Sequence, residues 1–202
     1  VTTPTNPGDP VNLFDQGERI SRDGRYVVFD SFADLGATTP GANKPGFTTF
    51  VYDLTNPAVP VIKTFLPRSD ADSAAGGGDV TRFGGFTDND TNGTPSTLVL
   101  TSRLNIKPDG TMATTAADGL NNIDGRPIQF YRVPLNETTP TFTRLTKFPN
   151  PSGSIFPRSQ ILPSDSARRL AFGLAFTEIG SGNFSLGNQG YYLYEPFVAS
   201  GG

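Results

Sequence analysis

The chain has 202 residues, a formal net charge of −3 and a pI near 4.9, so it is long enough for a stable core. Its 16 Lys and Arg are scattered and leave no electrostatic footprint for nucleic acid, and no apolar run is long enough for direct membrane insertion. Zero cysteine removes disulfides, thiolate nucleophiles and thiolate metal sites; zero histidine removes a Ser-His-Asp triad, an imidazole base and ordinary zinc or copper centres. Any chemistry falls to carboxylates, Lys, Tyr or a bound ion.

A hydrophobic content of 35% with 11% aromatics argues against disorder, and 23 Gly and 18 Pro set between short apolar runs point to an all-β fold. Residues 1–10 (VTTPTNPGDP) are polar and proline-rich, unlike a signal peptide. With no initiator Met, and with a tail-like 199–202 (ASGG), the chain is expected to be processed or excerpted from a longer protein.

In chain order the strand candidates repeat as a set A to D, inner to outer. Residues 11–14 (VNLF) resemble an outer D strand, followed by 18–20 as A, 26–30 as B, 48–53 as C and 61–65 as D. The second set is 80–83, 98–102, 128–133 and 141–145; the third is a weak 155–157, then 169–173 and 191–195, with no D. Near-continuous apolar runs such as Tyr26-Val27-Val28-Phe29 fit strands covered on both faces.

The B strands begin near Arg25, Ser96 and Arg168, at steps of 71 and 72 residues, and a fixed period signals a repeat architecture. The expectation is one all-β, β-propeller-like domain over 1–202, of three four-stranded blades of roughly 72 residues. The N-terminal strand 11–14 would complete the last blade. Propellers typically need about four to eight blades to close. Three therefore call for a second copy, another chain or a longer polypeptide. The long B-to-C loops, 32–47, 103–127 and 177–190, would share one side and form the first candidate binding surface.

The stretch SRDGRYVVFDS at 21–31 followed by TTFVYDL at 48–54 resembles the TolB-like β-propeller repeats of bacterial periplasmic and secreted proteins. Ser21, Asp23, Gly24, Arg25, Tyr26, Val28 and Phe29 match the turn and inner strand, and Val51, Tyr52, Asp53 and Leu54 match the aromatic strand. The second repeat keeps its strands, with Tyr131-Arg132 at the Tyr-Asp position; the third keeps Ser164-Asp165, Leu170-Ala171-Phe172 and Tyr194-Glu195. The resemblance implies a largely non-catalytic scaffold that holds protein partners. The Ser-x-Asp-Gly turn needs no function, since Asp accepts backbone amides and Gly takes positive φ.

The sharpest local motif is Asp88-Asn89-Asp90-Thr91-Asn92-Gly93. Oxygen ligands Asp88, Asp90 and Asn92 at alternate positions, with Gly93 sixth and Ser96 ninth, suit a short Ca2+ loop; Val99 stands where an EF-hand needs Glu. The competing reading is a solvated hairpin turn. Asp30, Asp53, Asp88, Asp165, Glu178 and Glu195 fall at strand ends without the spacing of a glycosidase pair. Arg168-Arg169 reads as a solvated edge, and Asp70-Ala71-Asp72 before three glycines as an acidic loop, not a phosphate cradle. Tyr191, Tyr192 and Tyr194 read as inter-blade packing, and Asn89, Asn92, Asn136 and Asn183 begin Asn-x-Ser/Thr triplets.

Together these features lead to a non-catalytic structural or protein-binding module of an exported bacterial assembly, periplasmic or extracellular, whose partner is another protein or a second copy. The alternative is a carbohydrate-active protein, hydrolase or lectin, working from the long loops.

Overall fold

The computed structural model describes residues 13–14, 20–31, 48–64, 82–124, 126, 129–137, 141–147, 157–163, 170–180 and 183–194. Among them lie strands β1 (Leu13–Phe14), β2 (Tyr26–Ser31), β3 (Thr48–Asp53), β4 (Val61–Thr64), β5 (Arg82–Asn89) and β6 (Pro95–Ser102). They are followed by β7 (Gln129–Pro134), β8 (Thr143–Arg144), β9 (Pro157–Pro163), β10 (Leu170–Gly180) and β11 (Asn183–Tyr194), with no helix among the described residues. The strands are rich in Val, Phe, Tyr and Thr, which fit a pleated surface. They build antiparallel sheets in simple up-and-down order: β1-β2-β3-β4, β5-β6-β7-β8, and the three-stranded β9-β10-β11.

The repeat period is written into the ladder. Leu54 N–H donates to Arg25 O and Leu135 N–H to Ser96 O, each at 2.8 Å, so Arg25 and Ser96 hold the same place 71 residues apart. In the third sheet Leu170 faces Tyr194 as Val27 faces Tyr52 in the first. The same register corrects the alignment of the second repeat. Tyr131 lies opposite Leu100 as Phe50 lies opposite Phe29, so Val133, not Tyr131, stands where the first repeat has Tyr52.

Two further expectations are overturned. The N-terminal strand does not complete the last blade: Leu13 and Phe14 pair with Ser31 and Asp30 at the free edge of β2, and Ile20 bridges Val27 on that edge. Residues 13–20 therefore run along a single strand, which a split into an outer D and an inner A had divided between two sheets. Residues 177–190, expected as a loop, belong mostly to the hairpin ladder of β10 and β11, with Thr177 opposite Ser185 and Glu178 opposite Phe184. Alternating apolar and polar residues there sustain a strand, and Gly180 and Asn183 bracket the turn. Residues 32–47, and the weak strand position 155–156, lie outside the described residues.

The two four-stranded sheets pack face to face. Tyr26, Val28 and Val51 of the first share one apolar cluster with Leu98, Leu100, Tyr131 and Val133 of the second. On the far side of the first sheet, Phe29 and Phe50 are cross-strand partners whose rings stack at 5.6 Å, with Tyr52 and Ile62 beside them. Val99 and Phe130 are fully buried on the second sheet's opposite face, so its central strands are covered on both sides. Strand β5 touches β2 and β3 on one side and β9 on the other, which sets the sheets in sequence order.

Candidate functional site

Three turns follow one plan. In Ser21–Gly24, Asp90–Gly93 and Lys107–Gly110 the glycine amide donates to the carbonyl three residues earlier, at 2.8, 3.0 and 2.9 Å. The glycine then takes φ of 71°, 83° and 82°, a left-handed conformation that favours Gly. A neighbouring side chain closes each turn. Asp23 Oδ1 accepts from Ser21 Oγ at 2.5 Å and from Arg25 N–H at 3.1 Å; Asp109 Oδ1 accepts from Thr111 N–H and Oγ1 at 2.9 and 2.7 Å.

The candidate calcium loop is the second of these turns. Asp90 Oδ1 accepts the amides of Asn92 and Thr94 at 2.8 and 2.9 Å, while exposed Asn92 sits at the tip. Asp88, at φ 56°, turns its carboxylate to Arg132, with Oδ2 3.7 Å from the guanidinium, and its carbonyl accepts from Ser96 Oγ at 3.1 Å. The four residues are thus close in the chain, but their oxygens serve separate partners. Gly93 has a further role. A Cβ there would fall 2.9 Å from Arg22 Cβ, so the turns of the two sheets touch, and Thr94 hydrogen-bonds the Asp23 carboxylate across the junction.

Asp53 anchors a polar seam between the same sheets. It accepts from Thr55 N–H at 2.9 Å and from Thr55 Oγ1, and it meets Arg25 Nε at 3.6 Å and Lys63 Nζ at 3.4 Å. Lys63 also donates to Leu135 O at 3.1 Å, and Tyr26 donates its hydroxyl to Asn136 Oδ1 at 3.0 Å, so both contacts cross to the second sheet. The Arg25 guanidinium lies 4.9 Å from the centre of the Tyr26 ring. Burial pushes the Tyr26 hydroxyl up, and the Asp53 charge adds to this. Lys63 and Asn136 escape a sequence reading because their partners lie 72 and 110 residues away.

The loop after β6, expected as part of a binding face, is largely folded inward. Leu104 and Ile106 enter the apolar cluster, with Met112 and Leu120 against it. Asn105 is the pin. Its amide nitrogen donates to Thr115 O and Ala116 O at 3.2 and 3.1 Å, and its oxygen accepts from Asn121 N–H at 2.9 Å. Arg144 from β8 donates to Leu120 O, and Phe142 N–H donates to Pro108 O at 2.7 Å, fastening the loop to its own sheet. What remains exposed is the stretch 114–118 and the tip at Pro108 and Asp109.

Of the carboxylates weighed for hydrolysis, Asp53 and Asp88 are engaged as described, Asp30 stands in β2 opposite Thr49, and Glu178 in β10 opposite Phe184. Asp165 and Glu195 lie outside the described residues, as do Asp70, Asp72, Arg168 and Arg169. Tyr191, Tyr192 and Tyr194 occupy β11, opposite Gly173, Phe172 and Leu170. No group of three or more acidic residues suited to a metal is found among the described residues.

Burial pushes the Asp53 carboxyl up, but the Thr55 hydrogen bonds and the Lys63 charge outweigh it and hold the group below the usual range. For Asp23, burial is likewise outweighed, here by Ser21, Thr94 and the Arg25 amide; for Asp109, the Thr111 hydroxyl leads the lowering. Carboxyls lowered on folding stabilise the native state above their unfolded value of about 3.9 and lose that contribution as the pH falls through the folded value. Unfolding in urea should therefore show a midpoint that declines below about pH 4. Asp53→Asn should make that decline shallower; parallel curves for the two proteins would contradict the assignment.

Asn105→Ala should cost about 2–4 kcal/mol, since it removes three hydrogen bonds and leaves buried backbone groups unmet. A Cβ at Gly119 would fall 1.9 Å from Asn105 Oδ1, so Gly119→Ala should destabilise the natural protein strongly and the Asn105→Ala protein much less. Additive losses in chemical denaturation would remove the pin from its role. No protein-family model, curated protein or solved structure matches the chain.

Proposed function

We propose that the chain is a non-catalytic, protein-binding propeller module, in which the successive antiparallel meanders serve as blades of an exported assembly. The observation that carries this reading is the use made of the acids. Asp23, Asp53, Asp90, Asp109 and Asp118 hydrogen-bond neighbouring amides or hydroxyls of the chain's own turns, and Asp88 faces Arg132. A hydrolase of the two-carboxylate kind needs one acid held protonated and another free to attack or activate water. Here the lowered carboxyls Asp23, Asp53, Asp109 and Asp118 stay ionised as acceptors, which suits scaffolding. The sharing of one apolar cluster by two sheets further supports the blade reading.

A glycan array combined with a hydrolysis screen tests the reading against its carbohydrate-active rival. No glycan binding and no turnover is the expected outcome; a glycan bound by the natural chain and lost in Asp30→Ala or Asp53→Ala would replace the module reading. Calcium has its own test. Because Asp90 closes its turn on amides and Asp88 faces Arg132, the melting temperature should not change with millimolar Ca2+ or chelator, whereas an ion bound only by the native state must raise it.

A further inference from the structure

The edges of the sheets differ in how well they are blocked. β1 and β8 have two residues each, and β4 has four with Lys63 among them. β5 carries Arg82 and Asp88, and β9 carries Pro157, Arg158 and Pro163. Short length, charge and proline are the devices that keep an edge from pairing with another strand. β11 has none of them: its 12 residues, NFSLGNQGYYLY, include no charge and no proline. It is also the outer strand of its sheet among the described residues, paired only with β10.

The other repeats show what this position accepts. β3 and β7, which follow the central strand as β11 follows β10, are each paired on both sides. Within β11, Gly190–Tyr194 runs opposite Leu170–Leu174 in unbroken register; the ladder shifts only beyond Leu174. That stretch offers five consecutive residues of regular edge.

We propose that the free edge of β11 at Gly190–Tyr194 pairs antiparallel with the same stretch of a second copy, joining two three-stranded sheets across a two-fold axis. A second copy is the occupant the chain itself supplies. It presents an equally unblocked edge of the same length, antiparallel pairing of identical strands needs only a two-fold, and an uncharged strand meets its own copy without repulsion. The proposal deepens the module reading by naming its partner, and its failure is separable: a glycan hit removes the module and leaves the edge untouched, whereas a monomer removes only the pairing.

The cysteine-free sequence gives a clean test. Sedimentation of the natural chain should show twice the monomer mass. Cysteines placed singly at Tyr191, Tyr192 and Leu193 should give a disulfide-linked dimer on oxidation at one or more positions, while Thr55→Cys, on an exposed turn, should not. Tyr192→Lys should yield a monomer with unchanged circular dichroism; if that variant fails to fold, the cysteine comparison still decides. A monomeric natural chain, or β11 cysteines that link no better than Thr55→Cys, overturns the proposal.

Discussion

Neither four-stranded sheet can bury its own apolar face, and the rest of the architecture follows from that constraint. Tyr26, Val28 and Val51 are at or near zero exposure because Leu98, Leu100, Tyr131 and Val133 cover them. Each such side chain taken fully out of water contributes about 1.5–3 kcal/mol, so the shared layer outweighs any single polar contact in the molecule. It also explains why the loop after β6 turns inward. Leu104 and Ile106 extend the same layer beyond the strand ends, and Asn105 between them must then satisfy the backbone that they carry into the interior.

The polar seam is best understood as secondary to this layer. Partly exposed ion pairs such as Arg25–Asp53 and Lys63–Asp53 are worth about 0–1 kcal/mol each, too little to hold two sheets together. Their value is directional. Lys63 reaches Leu135 O and Tyr26 reaches Asn136 only in one relative placement of the sheets, and the contact between Arg22 and the Gly93 turn fixes the other end. Apolar burial supplies the energy, and the turn residues restrict the geometry. The aspartates that resemble ligands or catalytic acids in the sequence serve that geometry.

Much of this was legible from residues alone. The 71-residue step from Arg25 to Ser96 reappears as two equivalent hydrogen bonds, because a turn, a strand and a partner strand of fixed register recur together. Ser21, Asp23 and Gly24 read correctly as a turn, since their chemistry is satisfied within five residues. Residues 13–20 did not read correctly. A two-residue strand carries too little pattern to name its neighbour, and whether it borders β2 or closes a distant sheet is a matter of long-range pairing. The same limit affected Tyr131, where an aromatic match drew the alignment two places from the register that the ladder sets.

The sequence by itself determined that the chain is all-β, where most strands begin, and which turns close on Asp and Gly, because propensity, alternation and turn hydrogen bonds act over a few residues. Only the tertiary structure decided which edge the N-terminal strand takes, that Asn105 pins a folded loop, that Asp88 faces Arg132, and that β11 is left with an unblocked edge. Those outcomes depend on groups tens of residues apart being brought together by apolar burial, and no local pattern encodes the choice of partner.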